Sequence, residues 1–149
     1  PVPRFTILGG ANYPEAATNC VLDNLTGLIW ARDANLYGTT NWGSAVSTIV
    51  NTFNSTSYGG YADWRLPNIR ELLSLVNYKY SSPPISDASG TNKWTEALGP
   101  FRGVDPWEYW SSTTATDGGG YYVKMGVLNV NSANKSTYKY RVWPVRGPQ

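Results

Sequence analysis

Apolar positions along this chain repeat with two periods, and the switch between them divides it. From Asn68 onward, Ile69, Leu72, Leu73 and Val76 fall at i, i+3, i+4 and i+7, one face of a helix. Asn68 is placed to cap that helix, and Glu71 three residues later can reach back to the Asn68 N–H. Pro67 precedes the cap, where its missing N–H does no harm. An earlier segment starting at Thr40 or Asn41 has the same period. There Trp42, Ala45, Val46, Ile49 and Phe53 predict a helix of about three turns.

The other segments are short and extended. Arg4–Leu8 reads as a first strand closed by Gly9 and Gly10, and 11–19 as loop. Cys20–Asp23 and Leu28–Trp30 are the arms of a hairpin around Asn24–Gly27. Gly27 supplies the positive φ, and Asp23 and Thr26 bond within the turn. Asn54–Gly60 is polar loop leading to Tyr61-Ala62-Asp63-Trp64-Arg65-Leu66. In that extended run Asp63 and Arg65 share a face as an ion pair, while Trp64 points to the core. Ser81–Pro84 breaks regular structure, and 85–108 has no period, so it reads as long loop pinned by Trp94, Phe101 and Trp107. Tyr109–Thr113, Tyr121–Met125, Val127–Val130 and Tyr138–Arg146 predict an antiparallel meander. Its turns are Asp117–Gly120 and Asn131–Ser136.

Composition agrees with short strands and aromatic anchoring. Only 15% of the 149 residues are charged, 14% are aromatic, and 15 glycines and 10 prolines punctuate the chain. One domain over 1–149 is the expectation, able to bury roughly two thirds of its unfolded surface. No apolar run approaches the ~18 residues needed to span a membrane. No signal peptide is visible; the chain opens at Pro1 and reads as an excised domain, which leaves export open.

Two absences narrow the chemistry. There is no histidine, so the commonest general base and the usual zinc ligand are missing. Cys20 stands alone, so neither an internal disulfide nor a two-cysteine metal or redox motif can form. No catalytic residue, metal or cofactor is expected. Glu96, Asp105 and Glu108 are the carboxylates an enzymatic reading would have to use, as an acid pair of the glycosidase kind. Charge is lopsided: residues 1–117 carry a net −3, whereas Lys124, Lys135, Lys139, Arg141 and Arg146 give the remainder +5.

Asp23-Asn24-Leu25-Thr26-Gly27-Leu28-Ile29-Trp30, Asn41-Trp42, Asp63-Trp64-Arg65-Leu66-Pro67 with Glu71-Leu72, Tyr109-Trp110-Ser111-Ser112-Thr113 and Trp143-Pro144-Val145-Arg146 occur in that order. Together, over roughly 20–147, they resemble the bacterial domain family named after the C-terminal domain of the Legionella collagen-like adhesin Lcl. The resemblance implies an α+β fold of C-type-lectin-like kind, with two helices packed beside small antiparallel sheets and the chain ends close together. It also implies kinship with formylglycine-generating enzymes and with variable receptor-binding domains. Surface display, a homotrimer and sulfated-glycan binding are implied by the adhesin. The enzymes' cysteine pair does not occur here. Nor do the Glu-Pro-Asn or Gln-Pro-Asp and Trp-Asn-Asp motifs of calcium-dependent lectins.

The expected function is therefore a non-catalytic binding module, extracellular or at the cell surface. Its ligand would be an acidic or sulfated polysaccharide, or a host or surface protein, and no nucleic acid is expected. The proposed contacts, on one basic C-terminal patch, are Lys124, Asn129, Asn131, Asn134, Lys135, Tyr138, Lys139, Tyr140 and Arg141. Tyr gives rigid amphipathic area there, and Asn gives adaptable hydrogen bonding. The same Asn, Ser, Thr, Lys and Tyr types share adenine-rich codons, which keeps open a variable protein-recognition domain diversified by a retroelement. Of the seven tryptophans, Trp30, Trp42, Trp64, Trp110 and Trp143 read as core anchors, and Trp94 and Trp107 as candidates for exposed stacking.

Overall fold

The structure, a computed structural model, describes residues 2–147 apart from the side chain of Ile49. It is α+β, with two helices and two small sheets. Strands β1 (Phe5–Ile7), β2 (Cys20–Asp23), β3 (Ile29–Ala31) and β9 (Val145–Arg146) form an antiparallel sheet in the order β1-β2-β3-β9. The second sheet has the order β4-β8-β5-β6-β7, with β4 at Thr39–Thr40, β5 at Glu108–Thr114, β6 at Gly120–Lys124, β7 at Asn129–Ala133 and β8 at Tyr140–Arg141.

The expected meander forms as far as β7 and then departs. The β6–β7 turn is Met125–Leu128, so the third strand begins at Asn129 and runs into the residues predicted as turn. The chain next crosses to the other side of β5. There Arg141 pairs in parallel with Tyr109, and β8 meets β4. Val142–Pro144 then carry it into the first sheet, where β9 pairs with β3.

The first helix is three pieces end to end: α1 (Trp42–Ser44), a π-helical turn (Ala45–Ile49) and α2 (Val50–Ser55). Asn41 caps it, accepting the Ser44 N–H at 2.9 Å. The π turn widens the spacing of the buried face, which runs Ala45, Val50, Phe53, while Val46 is exposed. The predicted stripe through Val46 is thus corrected, and that through Ile49 lies outside the described side chains. The second helix, α3 (Ile69–Ser74), has the predicted capping box. Asn68 Oδ1 accepts the Glu71 N–H at 2.9 Å, and Glu71 Oε2 accepts the Asn68 N–H at 2.8 Å.

The expected Asp63–Arg65 ion pair does not form. Arg65 turns to Glu71, and Asp63 pairs with Arg146 of β9. Asp23, completely buried, bonds in its turn as expected but also receives the Arg4 fork at 2.9 Å.

Trp143 lies at the centre of the main core, edge-on to Trp30 and Phe101 and tilted against Tyr109. A second cluster of Ala45, Val50, Leu66, Trp110 and Val142 lies under the first helix. Residues 85–107 contain no regular element, and Ile85, Trp94 and Phe101 pin them to the core. Trp94 is therefore no stacking platform; its indole donates to the Phe101 carbonyl at 3.1 Å. Trp107 is half exposed.

Candidate ligand-binding face

Register across β5, β6 and β7 sets the rows of this face: Glu108–Lys124–Asn129, Trp110–Tyr122–Asn131 and Thr114–Gly120–Ala133. Side chains alternate along a strand, so these rows share one side of the sheet. Tyr109, Val123 and Met125 turn to the main core.

Aromatic rings cover the middle of the face. Tyr140 from β8 lies 4.4 Å from Trp110 and 4.8 Å from Tyr122, centre to centre. Tyr138 continues the row at 5.8 Å from Tyr140 and is half exposed. Burial pushes the Tyr140 hydroxyl up to about 12, helped by Tyr122 and Glu108, so it is a neutral donor at physiological pH. Trp42 closes one side and is only partly buried, although read as a core anchor. Its indole donates to the Ser111 carbonyl at 2.8 Å. Gly120 admits it, since a Cβ there would lie 2.6 Å from the ring.

At this edge Lys135 Nζ sits 3.8 Å above the Trp42 ring and donates to Thr114 Oγ1 at 2.7 Å. A polar hollow of about 360 Å³ opens beside it, lined by Asp117, Gly118, Gly119, Asn134, Lys135 and Ser136. Asp117 accepts from Ser132 Oγ at 2.7 Å and from the Gly119 N–H at 2.9 Å, the Ser132 bond first holding its carboxyl below the usual range.

The expected single basic patch is corrected by this geometry. Lys124 pairs with Glu108 at 3.1 Å and Arg141 with Asp105 at 2.7 Å, while Arg146 belongs to the other sheet and pairs with Asp63 at 2.6 Å. Lys124 also pairs with Asn129 at one end of the β6–β7 ladder, whereas Lys135 lies in the turn beyond Ala133 at the other end, and the ladder between them spans on the order of 13 Å. Lys135 and Lys139 have no carboxylate within 4.0 Å among the described residues, and Lys139 is exposed. Asn129 and Asn131 are exposed. Asn134 Oδ1 is occupied by the Ser136 and Thr137 N–H groups, a turn-forming role.

Sequence reasoning missed Tyr122, Trp42 and Asp117. Tyr122 was legible from alternation, because it stands in register with Trp110; Trp42 and Asp117 reach the face only through the tertiary fold. Each loop carboxylate singled out for catalysis has its own structural partner. Glu96 holds the Gly103 N–H at 3.0 Å, Asp105 holds Arg141, and Glu108 holds Lys124. Among the described residues, no group of three or more Cys, Asp or Glu is placed to hold a metal ion, and no helix is long and apolar enough to cross a membrane.

This architecture defines an α+β domain that presents one aromatic sheet face ending in two polar turns. The chain belongs to the Lcl C-terminal domain family, whose profile matches residues 19–146. No curated protein matches the chain significantly.

Proposed function

We propose that the protein is a non-catalytic, adhesin-type binding module, displayed at the surface or secreted, whose ligand is an acidic saccharide. The observation that supports it most is the row Tyr122–Tyr140–Tyr138, a rigid aromatic shelf backed by buried Trp110 and flanked by exposed Asn129 and Asn131 and by Lys135. A sugar ring stacks on such a shelf, the amides bond its hydroxyls, and Lys135 or Lys139 takes its sulfate or carboxylate as a point charge. The adhesin-associated family supports extracellular placement. A C-type-lectin-like relationship and trimer formation belong to the same reading, and light scattering checks the second.

The test is titration with sulfated and desulfated forms of one oligosaccharide. Tyr138→Ala and Lys135→Gln should each weaken the sulfated form about tenfold while leaving the melting temperature unchanged. Equal binding by the wild type and both variants would remove the reading. Pairing of Lys124, Arg141 and Arg146 with acids favours one alternative, recognition of a protein through the Tyr and Asn side chains. That ligand would bind with little dependence on salt.

A further inference from the structure

We infer that the cleft between Arg32 and Arg102 is a second binding site, for a singly charged oxyanion such as a sulfate ester or a carboxylate. It shares no residue with the sheet face and stands whether or not that face binds saccharide.

A short parallel bridge builds it. The Arg102 N–H donates to the Arg32 carbonyl at 2.8 Å, and the Ala34 N–H to the Arg102 carbonyl at 2.9 Å. Both arginines, with Asn19, Asp33, Leu36 and Tyr58, line a cleft of about 210 Å³. That is smaller than the ~300–1,000 Å³ of drug-sized sites, so it suits one charged group or one ring.

Arg32 is oriented in advance. Its Nε donates to the Pro100 carbonyl and its Nη1 to the Thr18 carbonyl, both at 3.2 Å, which leaves Nη2 without a protein acceptor among the described hydrogen bonds. Arg102 is exposed and has no carboxylate within 4.0 Å among the described residues. Burial, and then the charge of Arg102, lower the Arg32 guanidinium's affinity for its proton, as expected of two cations that line one cleft. Tyr58 forms a fixed wall, its ring 4.6 Å from Phe53 and 5.7 Å from Trp64. Burial first pushes its hydroxyl up to about 12, so it stays a donor.

Charge selects the ligand. Asp33 lines the cleft, with Oδ1 on the Asn35 N–H at 2.8 Å, so two guanidinium groups and one carboxylate leave a single positive charge. Glu96, bonded to the Gly103 N–H, is not among the residues that line the cleft. A monoanion is balanced there; a dianionic phosphate is not. Guanidinium forks suit sulfate and carboxylate geometry.

The experiment is a titration of the whole protein with methyl sulfate and, separately, with acetate at constant ionic strength, followed by amide NMR shifts at Asp33, Tyr58 and Gly103. Saturable shifts with either probe support the site, and the tighter probe identifies the natural group. Arg102→Gln, whose side chain has no structural bond to lose, should weaken binding about tenfold, and Lys93→Gln should change nothing. Tyr138→Ala should leave this titration intact even where it abolishes saccharide binding. Shifts that never saturate with either probe, or an Arg102→Gln titration superimposable on the wild type, would overturn the assignment.

Discussion

Arg65 and Glu71 meet in a two-point ion pair, Nη1 to Oε2 and Nη2 to Oε1, each at 2.7 Å. Glu71 Oε2 also holds the Asn68 N–H, so one carboxylate joins the extended run before α3 to the first turn of that helix. Glu71→Ala removes a helix cap and strands a largely buried guanidinium. It should cost about 3 kcal/mol. The urea midpoint should fall with the slope unchanged. Arg65→Lys keeps the charge without the fork and should lose less.

Salt dependence distinguishes the observed charge arrangement from the one expected. With Lys124, Arg141 and Arg146 already paired, only Lys135 and Lys139 of the C-terminal cations are available to displace counterions from a polyanion. The slope of log K against log salt should be about −2 rather than the value near −4 that the four cations among the proposed contacts would give. Affinity measured at four or five salt concentrations decides between them.

What was legible in the sequence was local. The Asn68–Glu71 box, the start of the first helix at Thr40 or Asn41 and the Gly27 hairpin each rest on residues a few positions apart, and all are present, with Asn41 the cap. Trp30, Trp64, Trp110 and Trp143 are buried as expected because their size leaves few other places for them. Long-range choices were illegible. Asp63 had a neighbour of opposite charge two residues away, yet its partner is Arg146, 83 residues on. The cation-rich tail looked like one patch because sequence shows charges without the acids that fold beside them. The π turn was hidden for another reason: a five-residue step between Ala45 and Val50 matches neither regular period.

Acid should loosen the 87–92 loop before the core. Asp87 Oδ1 accepts from Ser89 Oγ and the Gly90 N–H, and Oδ2 from Asn92 Nδ2. Desolvation opposes ionisation, but bonds from Ser89 and Asn92 outweigh it and bring the carboxyl down to about 2. A depressed folded value means the contribution is fully present above the unfolded value of about 4 and is lost as pH falls towards 2. Protection of the Gly90 and Asn92 amides from exchange, taken relative to the intrinsic rate at each pH, should fall across that window, and Asp87→Asn should remove that pH dependence.

Gly59 and Cys20 should behave as a coupled pair. A Cβ on Gly59 would overlap Cys20 Sγ, at a φ of +64°. Gly59→Ala should destabilise strongly. Adding Cys20→Ala should recover part of the loss, with a coupling of about 1–3 kcal/mol in a double-mutant cycle. Burial also pushes the thiol up to about 11 against the opposing effect of Arg146. Labelling by a thiol reagent at neutral pH should therefore proceed only as fast as the protein opens.

Between β8 and the end of β9, Val142 sits in the cluster under the first helix, and Trp143 and Val145 sit in the main core that both sheets line. This short stretch works as a rivet: neither sheet can shed it without exposing the interior of the other. Heat should consequently melt both layers in one step. Near-ultraviolet and far-ultraviolet dichroism would then trace superimposable curves.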